Sequence, residues 1–285
     1  MLADYHLHCE LSDDSEERME DQIEQGIKLG LDEMCFTDHV DYGIKRDWTD
    51  DVEWRDAFEH GAWHHQALAN VNYPEYFSKL TRMQKTYGDK ISIKKGLELG
   101  IQTITIDQYE QLYADWADEL DFVLLSMHQV DNLEFWNQGF QRGRTQEEFR
   151  TRYLEEILAV QKRFKHYSVL AHLDLLTRYD QCGPYPFEKE RDLYAEILRQ
   201  AISDGKGIEM NTSSWHYGLS DTSPSRDILR LYKDLGGTVV TIGSDAHSTA
   251  YLGDHLKDAQ DILKNEIGIE VICTFDKMVP TFHRI

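Results

Sequence analysis

The chain has 285 residues, with 30 Lys and Arg against 52 Asp and Glu, a formal charge of −22 with histidine neutral. A hydrophobic share of 41% is enough for a large core, and the sign of the charge excludes attachment to nucleic-acid polymers or anionic membranes through lysine and arginine. No apolar run is long enough to span a membrane, Met1-Leu2-Ala3-Asp4-Tyr5-His6 has no basic segment ahead of an apolar core, and Cys9, Cys35, Cys182 and Cys273 are scattered, so a cytoplasmic protein with reduced thiols is expected.

Short apolar runs alternate with stretches of helical period, the pattern of repeated βα units. In chain order the reading is strand Tyr5–His8, helix Glu16–Leu29, strand Glu33–Thr37, helix Glu75–Tyr87, strand Ile91–Leu99, helix Asp107–Leu120, strand Phe122–Met127 and helix Thr145–His166. Strand Ser168–His172, helix Phe187–Ser203, strand Gly207–Asn211, helix Pro224–Leu235, strand Thr238–Gly243, helix His247–Lys264 and strand Glu270–Phe275 complete it. Thr145 with Glu147 and Glu148, and Ser223 ahead of Pro224, read as helix starts. Seven or eight such units without a Pro/Gly/Ser-rich linker point to one α/β domain over 1–285, a barrel rather than an open sheet.

The rhythm breaks at residues 40–76, where Tyr42, Trp48, Trp54, Phe58, Trp63, Tyr73 and Tyr76 lie among many charges. This insertion reads as an extra helix over one mouth of the barrel, with a lid role open to it. Asn132–Arg144 is a shorter segment of the same kind.

Six strands end on His, Asp or Glu. His6-Leu7-His8 places two imidazoles on one strand face. Thr37-Asp38-His39, Gly96-Leu97-Glu98, Ser126-Met127-His128, Ala171-His172-Leu173-Asp174 and Gly243-Ser244-Asp245-Ala246-His247 follow. Parallel barrel strands converge at their C-terminal ends, so His6, His8, His39, His128, His172 and His247 would share one mouth with Glu98 and Asp245. Nitrogen and oxygen donors without thiolate suit zinc, manganese or iron(II), and eight donors exceed the needs of one ion. A multinuclear site is expected, with Glu98 able to bridge two ions.

These motifs, together with the loop Ser12-Asp13-Asp14-Ser15, resemble in order those of the polymerase-and-histidinol-phosphatase (PHP) superfamily. The length, the insertion after His39 and His172-Leu173-Asp174-Leu175 followed by Arg178-Tyr179 look most similar to its histidinol-phosphatase branch. The resemblance implies a distorted (β/α)7 barrel, three divalent metals and hydrolysis of L-histidinol phosphate in histidine biosynthesis. It implies one ion on His6, His8, Glu98 and Asp245, a second on Glu98, His128 and His172, and a third on Asp14, His39 and His247. Asp14 stands six residues after His8, with Asp13 a close competitor, and Cys9 reads as a small buried residue. Glu98 and Asp245 would carry catalysis with a hydroxide held between the first two ions as nucleophile.

Arg178 is the candidate phosphate clamp, because guanidinium matches phosphate bidentately; Arg142 and Arg144 are weaker ones, and Trp215-His216 could meet the organic part of a substrate. His60, His64, His65, His166, His216, His255 and His283 are assigned to structure or surface. Three divalent ions would reverse the sign of the site locally, so the acidic exterior admits a small phosphate ester while rejecting polymers. A phosphoesterase acting on a nucleotide or another small ester, and a non-catalytic metal-binding module, are the alternatives.

Overall fold

The computed structural model describes residues 1–49, 51–59 and 62–285. Seven parallel strands follow one another around a barrel: β1 (Ala3–Leu7), β2 (Glu33–Phe36), β3 (Ser92–Gly100), β4 (Phe122–Ser126), β5 (Val169–Leu170), β6 (Gly207–Asn211) and β7 (Val240–Gly243). The barrel closes just past β7, where Asp245 N donates to His6 O (2.8 Å) and His8 N donates to Ala246 O (3.0 Å). Helices α1 (Met19–Leu29), α2 (Tyr73–Tyr87), α3 (Ile106–Trp116), α4 (Gln146–Arg163), α5 (Arg191–Ser203), α6 (Arg226–Asp234) and α7 (Leu256–Asp261) surround it. Among the described residues no helix is long and apolar enough to cross a membrane.

The apolar residues fall into two buried groups. The larger joins strand residues such as Phe36, Leu97, Val123, Leu125 and Ile208 to helix residues such as Ile23, Leu80, Leu154, Ile197 and Leu229. Each fully buried side chain of this kind stabilises the fold by roughly 1.5–3 kcal/mol. The smaller group, including Ala3, Tyr5, Phe122, Val169 and Val239, lies at the N-terminal ends of the strands. The run expected as an eighth strand belongs to this end. Val271–Asp276 pairs antiparallel with Val279–Arg284, and Phe275 and Cys273 pack into the smaller group while Phe275 N donates to the Tyr5 hydroxyl at 2.6 Å. It caps the barrel instead of joining it, which leaves the opposite mouth for chemistry.

Two other expectations are corrected. Helix α6 begins at Arg226, not Pro224; the Ser223–Pro224 peptide is cis, the Ser223 hydroxyl donates to Asp174 Oδ1 (2.8 Å) and Ser225 N donates to Asp174 Oδ2 (2.8 Å). Among its described residues the 40–76 insertion forms no helix covering the mouth. Trp54–Glu59 and Ala62–Ala67 are the arms of an antiparallel hairpin in which apolar and polar residues do not alternate, and α2 starts at Tyr73, inside the expected insertion. Trp54 is exposed and stacks on His65 with ring centroids 5.1 Å apart, whereas Tyr42 and Tyr73 are buried with hydroxyls 3.2 Å apart. His60 lies outside the described residues.

At the start of α4 the expected cap is present in full: the Thr145 hydroxyl accepts from Glu148 N, and the Glu148 carboxylate accepts from Thr145 N at 2.7 Å. Replacing Thr145 by Ala removes one half of this reciprocal pair and is expected to lower unfolding free energy by about 1 kcal/mol in a urea titration.

Candidate metal centre

The strand ends converge on Glu98. His39 pairs beside it in a short bridge to β3, and the rest of the cluster arrives from the ends of β1, β4, β5 and β7. Glu98 is fully buried. Its Oε1 lies 3.0 Å from His128 Nε2 and 2.7 Å from His172 Nε2, and accepts from the Ser126 hydroxyl at 2.7 Å. Its Oε2 lies 3.1 Å from His6 Nε2, 3.4 Å from His8 Nε2 and 3.0 Å from His39 Nδ1. Five imidazoles therefore divide between the two oxygens of one carboxylate.

Asp245 Oδ1 stands 3.5 Å from His6 Nε2 and 3.4 Å from His8 Nε2. Asp14, not Asp13, faces the remaining histidines, with Oδ2 at 2.9 Å from His247 Nε2 and 3.2 Å from His39 Nε2; Asp13 instead pairs with the Lys45 ammonium at 2.6 Å. The His8 ring stacks between those of His39 (centroids 4.2 Å) and His247 (4.3 Å), so it borders the Asp14 group as well as the Asp245 group. All nine residues assigned to metals from the sequence thus meet in one place. His172 and Asp245 reach it with φ of 23° and 56°, left-handed conformations that cost non-glycine residues of order 1–3 kcal/mol and accompany functional sites.

Electrostatics show what the cluster is suited to hold. Burial opposes a charge on Glu98, Asp14 or Asp245, yet the surrounding histidines hold all three carboxyls well below their usual range. Burial likewise opposes charge on the imidazoles, but Glu209, Glu98 and Asp245 raise His6, Asp14 and Glu98 raise His39, and Asp41 and Glu98 lift His128 to about 9. Buried His8, pressed by His39 and His247, is lowered. The clustered carboxylates thus favour the charged form of His6, His39 and His128, and cations would offset the same carboxylate charge directly. His8 Nε2 and His39 Nδ1, both near Glu98 Oε2, are buried without a hydrogen bond, donor atoms of the kind a metal satisfies. Compact groups of such atoms, His8 with Asp14, His39 and His247, and His6 with Glu98 and His172, fit divalent ions.

Two functional positions escape the sequence reading. Glu209, fully buried in the middle of β6, sits 2.6 Å from His6 Nδ1 and accepts from His172 N at 2.9 Å. Asp41 Oδ1 lies 2.8 Å from His128 Nδ1. Each turns the other nitrogen of an imidazole toward Glu98, the arrangement by which an outer carboxylate orients a metal-ligating histidine. The available signal for Glu209 was a charged residue inside an apolar strand, which needs a partner once buried. Cys9 is buried, its thiol on Asp38 Oδ2 at 3.3 Å, outside the cluster as expected.

A cavity of about 280 Å³ opens over the cluster, lined on its outer side by Lys45, Glu134, Trp136, Leu175, Arg178, Tyr179 and Tyr217. Arg178 Nη2 donates to Ser213 Oγ (2.8 Å), stands 3.8 Å from Asp245 Oδ2 and the guanidinium lies 3.8 Å over the Tyr217 ring; its buried Nε makes no hydrogen bond. Arg142 and Arg144 do not line this cavity, and Arg144 instead covers the Phe140 ring at 4.9 Å. Trp215 and His216 are also absent from its wall, stacked on His255 (4.9 Å) and against Tyr251 (3.8 Å). From the insertion the wall takes Asp41, Ile44 and Lys45 and none of Tyr42, Trp48, Trp54, Tyr73 or Tyr76, so those aromatics do not shape the cavity.

Residues 4–213 match the model of the PHP domain. The chain belongs to the PHP domain family. It is 32% identical to the histidinol-phosphatase of Lactococcus lactis over 96% of this chain and 94% of that one, and 21% identical to the histidinol-phosphatase of Bacillus subtilis over 88% and 95%. Its fold is similar to the crystal structure of the Lactococcus lactis histidinol phosphate phosphatase complexed with zinc, L-histidinol and phosphate, with a TM-score of 0.78, 30% identity and 98% of both chains covered.

Because the raised imidazoles must lose their protons before they can ligate, zinc binding to the metal-free protein is expected to release protons at pH 7 and to tighten as pH rises. Calorimetric titrations in buffers of different ionisation heat measure this; the absence of proton release would mean that the histidines are not the ligands. Glu209→Gln is expected to weaken zinc affinity about 10–100-fold in a chelator competition.

Proposed function

We propose that the chain is a histidinol-phosphatase that hydrolyses L-histidinol phosphate to L-histidinol and phosphate, with three divalent ions in the Glu98 cluster. The observation that carries this reading is the division of five imidazoles between the two oxygens of buried Glu98, at the floor of a cavity sized for a small molecule. His6, His8, Glu98 and Asp245 would hold one ion, Glu98, His128 and His172 a second, and Asp14, His39 and His247 a third. Zinc, manganese and iron(II) suit such donors, and the zinc in the Lactococcus lactis relative favours zinc. When bound, ions of this kind lower the pKa of a water toward neutrality and offset charge on a phosphoryl group.

The chain's own residues do the rest. Glu98 fixes the spacing between the first two ligand sets by supplying one oxygen to each. Asp245 supports His6 and His8 on one side and Arg178 on the other, so ligand geometry and guanidinium position are linked. Arg178 offers phosphate a charged donor whose Nε is otherwise unsatisfied. The acidic exterior, at −22, disfavours polynucleotides but not a small ester bound at a cation-bearing cluster.

The zinc- or manganese-loaded protein should release phosphate from L-histidinol phosphate far faster than from p-nitrophenyl phosphate or a nucleoside monophosphate. Comparable turnover of those esters would reject the assignment. Glu98→Gln should lower kcat by at least about 100-fold, beyond the effect of losing an outer carboxylate; near-normal turnover would remove its bridging role. Arg178→Met, which deletes a charge-assisted hydrogen bond, should reduce kcat/KM by about 10–150-fold with the metals retained.

A further inference from the structure

Lys45 belongs to the insertion after β2, yet its ammonium is drawn into the site. A tight turn in which Lys45 N donates to Asp41 O (2.8 Å) folds it back, and its Nζ reaches Asp13 Oδ2 at 2.6 Å and Asp41 Oδ2 at 3.0 Å. The side chain is only 14% exposed, and those of its two partners 7% and 6%. Asp13 directly precedes Asp14, which faces His39 and His247. The second oxygen of Asp41 lies against His128 Nδ1, whose other nitrogen meets Glu98.

A continuous chain therefore runs Asp13, Lys45, Asp41, His128, Glu98. It has a place made for it: a Cβ on Gly100 would stand 2.0 Å from Asp41 Oδ1 and 2.9 Å from His128 Nδ1, so only glycine in β3 admits the contact. Asp41 is held from behind as well, its N donating to Asn70 Oδ1 at 2.8 Å. We propose that Lys45 is a positioning residue that ties the Asp14 loop to the His128 strand end and so keeps two ligand sets at a constant separation.

The physical reason is charge. The side chains of Asp13 and Asp41 are only 7% and 6% exposed and meet at the Lys45 ammonium, so removing it sets these two carboxylates against each other with no shared cation, and the segments that carry them move apart. A compact ammonium with three donors on a flexible stem can satisfy two carboxylates from different segments at once.

The inference rests on the reading of Asp14 and His128 as metal ligands, and its test does not depend on the substrate. Lys45→Met, Lys45→Arg, Asp41→Asn and the Lys45→Met/Asp41→Asn double variant are titrated with zinc against a competing chelator, after circular dichroism confirms folding. Metal content is measured by plasma mass spectrometry, and kcat and KM on L-histidinol phosphate are recorded alongside. Lys45→Met should bind its weakest zinc at least about 10-fold less tightly and lose kcat with KM within about twofold of wild type, and Lys45→Arg should recover the zinc affinity. The double variant should be no worse than Asp41→Asn, since both act through one contact chain.

Wild-type zinc affinity in folded Lys45→Met, additive losses in the double variant, or a rise in KM alone, which would make Lys45 a substrate contact, overturns the proposal. If Lys45→Met does not fold, a wild-type zinc complement in folded Asp41→Asn overturns it. Failure of the loaded wild-type protein to hydrolyse L-histidinol phosphate would reject the substrate assignment while the zinc titrations still decide the role of Lys45.

Discussion

The site depends on a carboxylate that could not stay buried alone. Removing an ion of that size from water costs several kcal/mol, and Glu98 is fully buried. The cost is offset by what surrounds it: the Ser126 hydroxyl and five imidazoles within 3.4 Å of its two oxygens. Each imidazole comes from a different part of the barrel rim, apart from the His6 and His8 pair. The position of Glu98 is therefore a constraint on several strand ends at once. Metal ions and protons compete to satisfy the same arrangement.

Around this centre a second set of groups fixes directions. Asp41 and Glu209 orient His128 and His6, and in both cases a glycine makes the approach possible. A Cβ on Gly243 would fall 2.3 Å from His6 Cβ and 2.6 Å from Glu209 Oε1, as one on Gly100 would collide with Asp41. The left-handed backbone at His172 and Asp245 is maintained in part by hydrogen bonds from His172 N to Glu209 and from Asn211 to Asp245. Apolar packing at the opposite end, closed by the C-terminal hairpin, lets the rim carry this concentration of polar groups without losing the core.

Much of this was legible from residue order. Metal-ligand types at the ends of successive strands can be read because a parallel barrel gathers those ends at one mouth, whatever the details of the connections. The Thr145 cap was legible because its hydrogen bonds are local. The insertion was not, because Trp54–Glu59 and Ala62–Ala67 lack the alternation of apolar and polar residues that marks a strand, and only their pairing with each other makes them a hairpin. Val271–Asp276 has the composition of a barrel strand, and only its antiparallel partner shows that it caps the barrel. Asp13 and Asp14 are adjacent acids with no chemical difference between them; a lysine 31 residues beyond Asp14 takes one, and two histidines take the other.

The sequence by itself determined the fold class and the nitrogen- and oxygen-donor types at the strand ends, because these follow from periodicity and residue type. The tertiary structure decided which donors share an oxygen of Glu98, which aspartate faces the histidines, and that Glu209, Asp41 and Lys45 belong to the site. Those are distances of about 3 Å between residues far apart in the chain. They depend on strand register, on glycines that leave room and on which buried charges find partners, none of which a local pattern encodes.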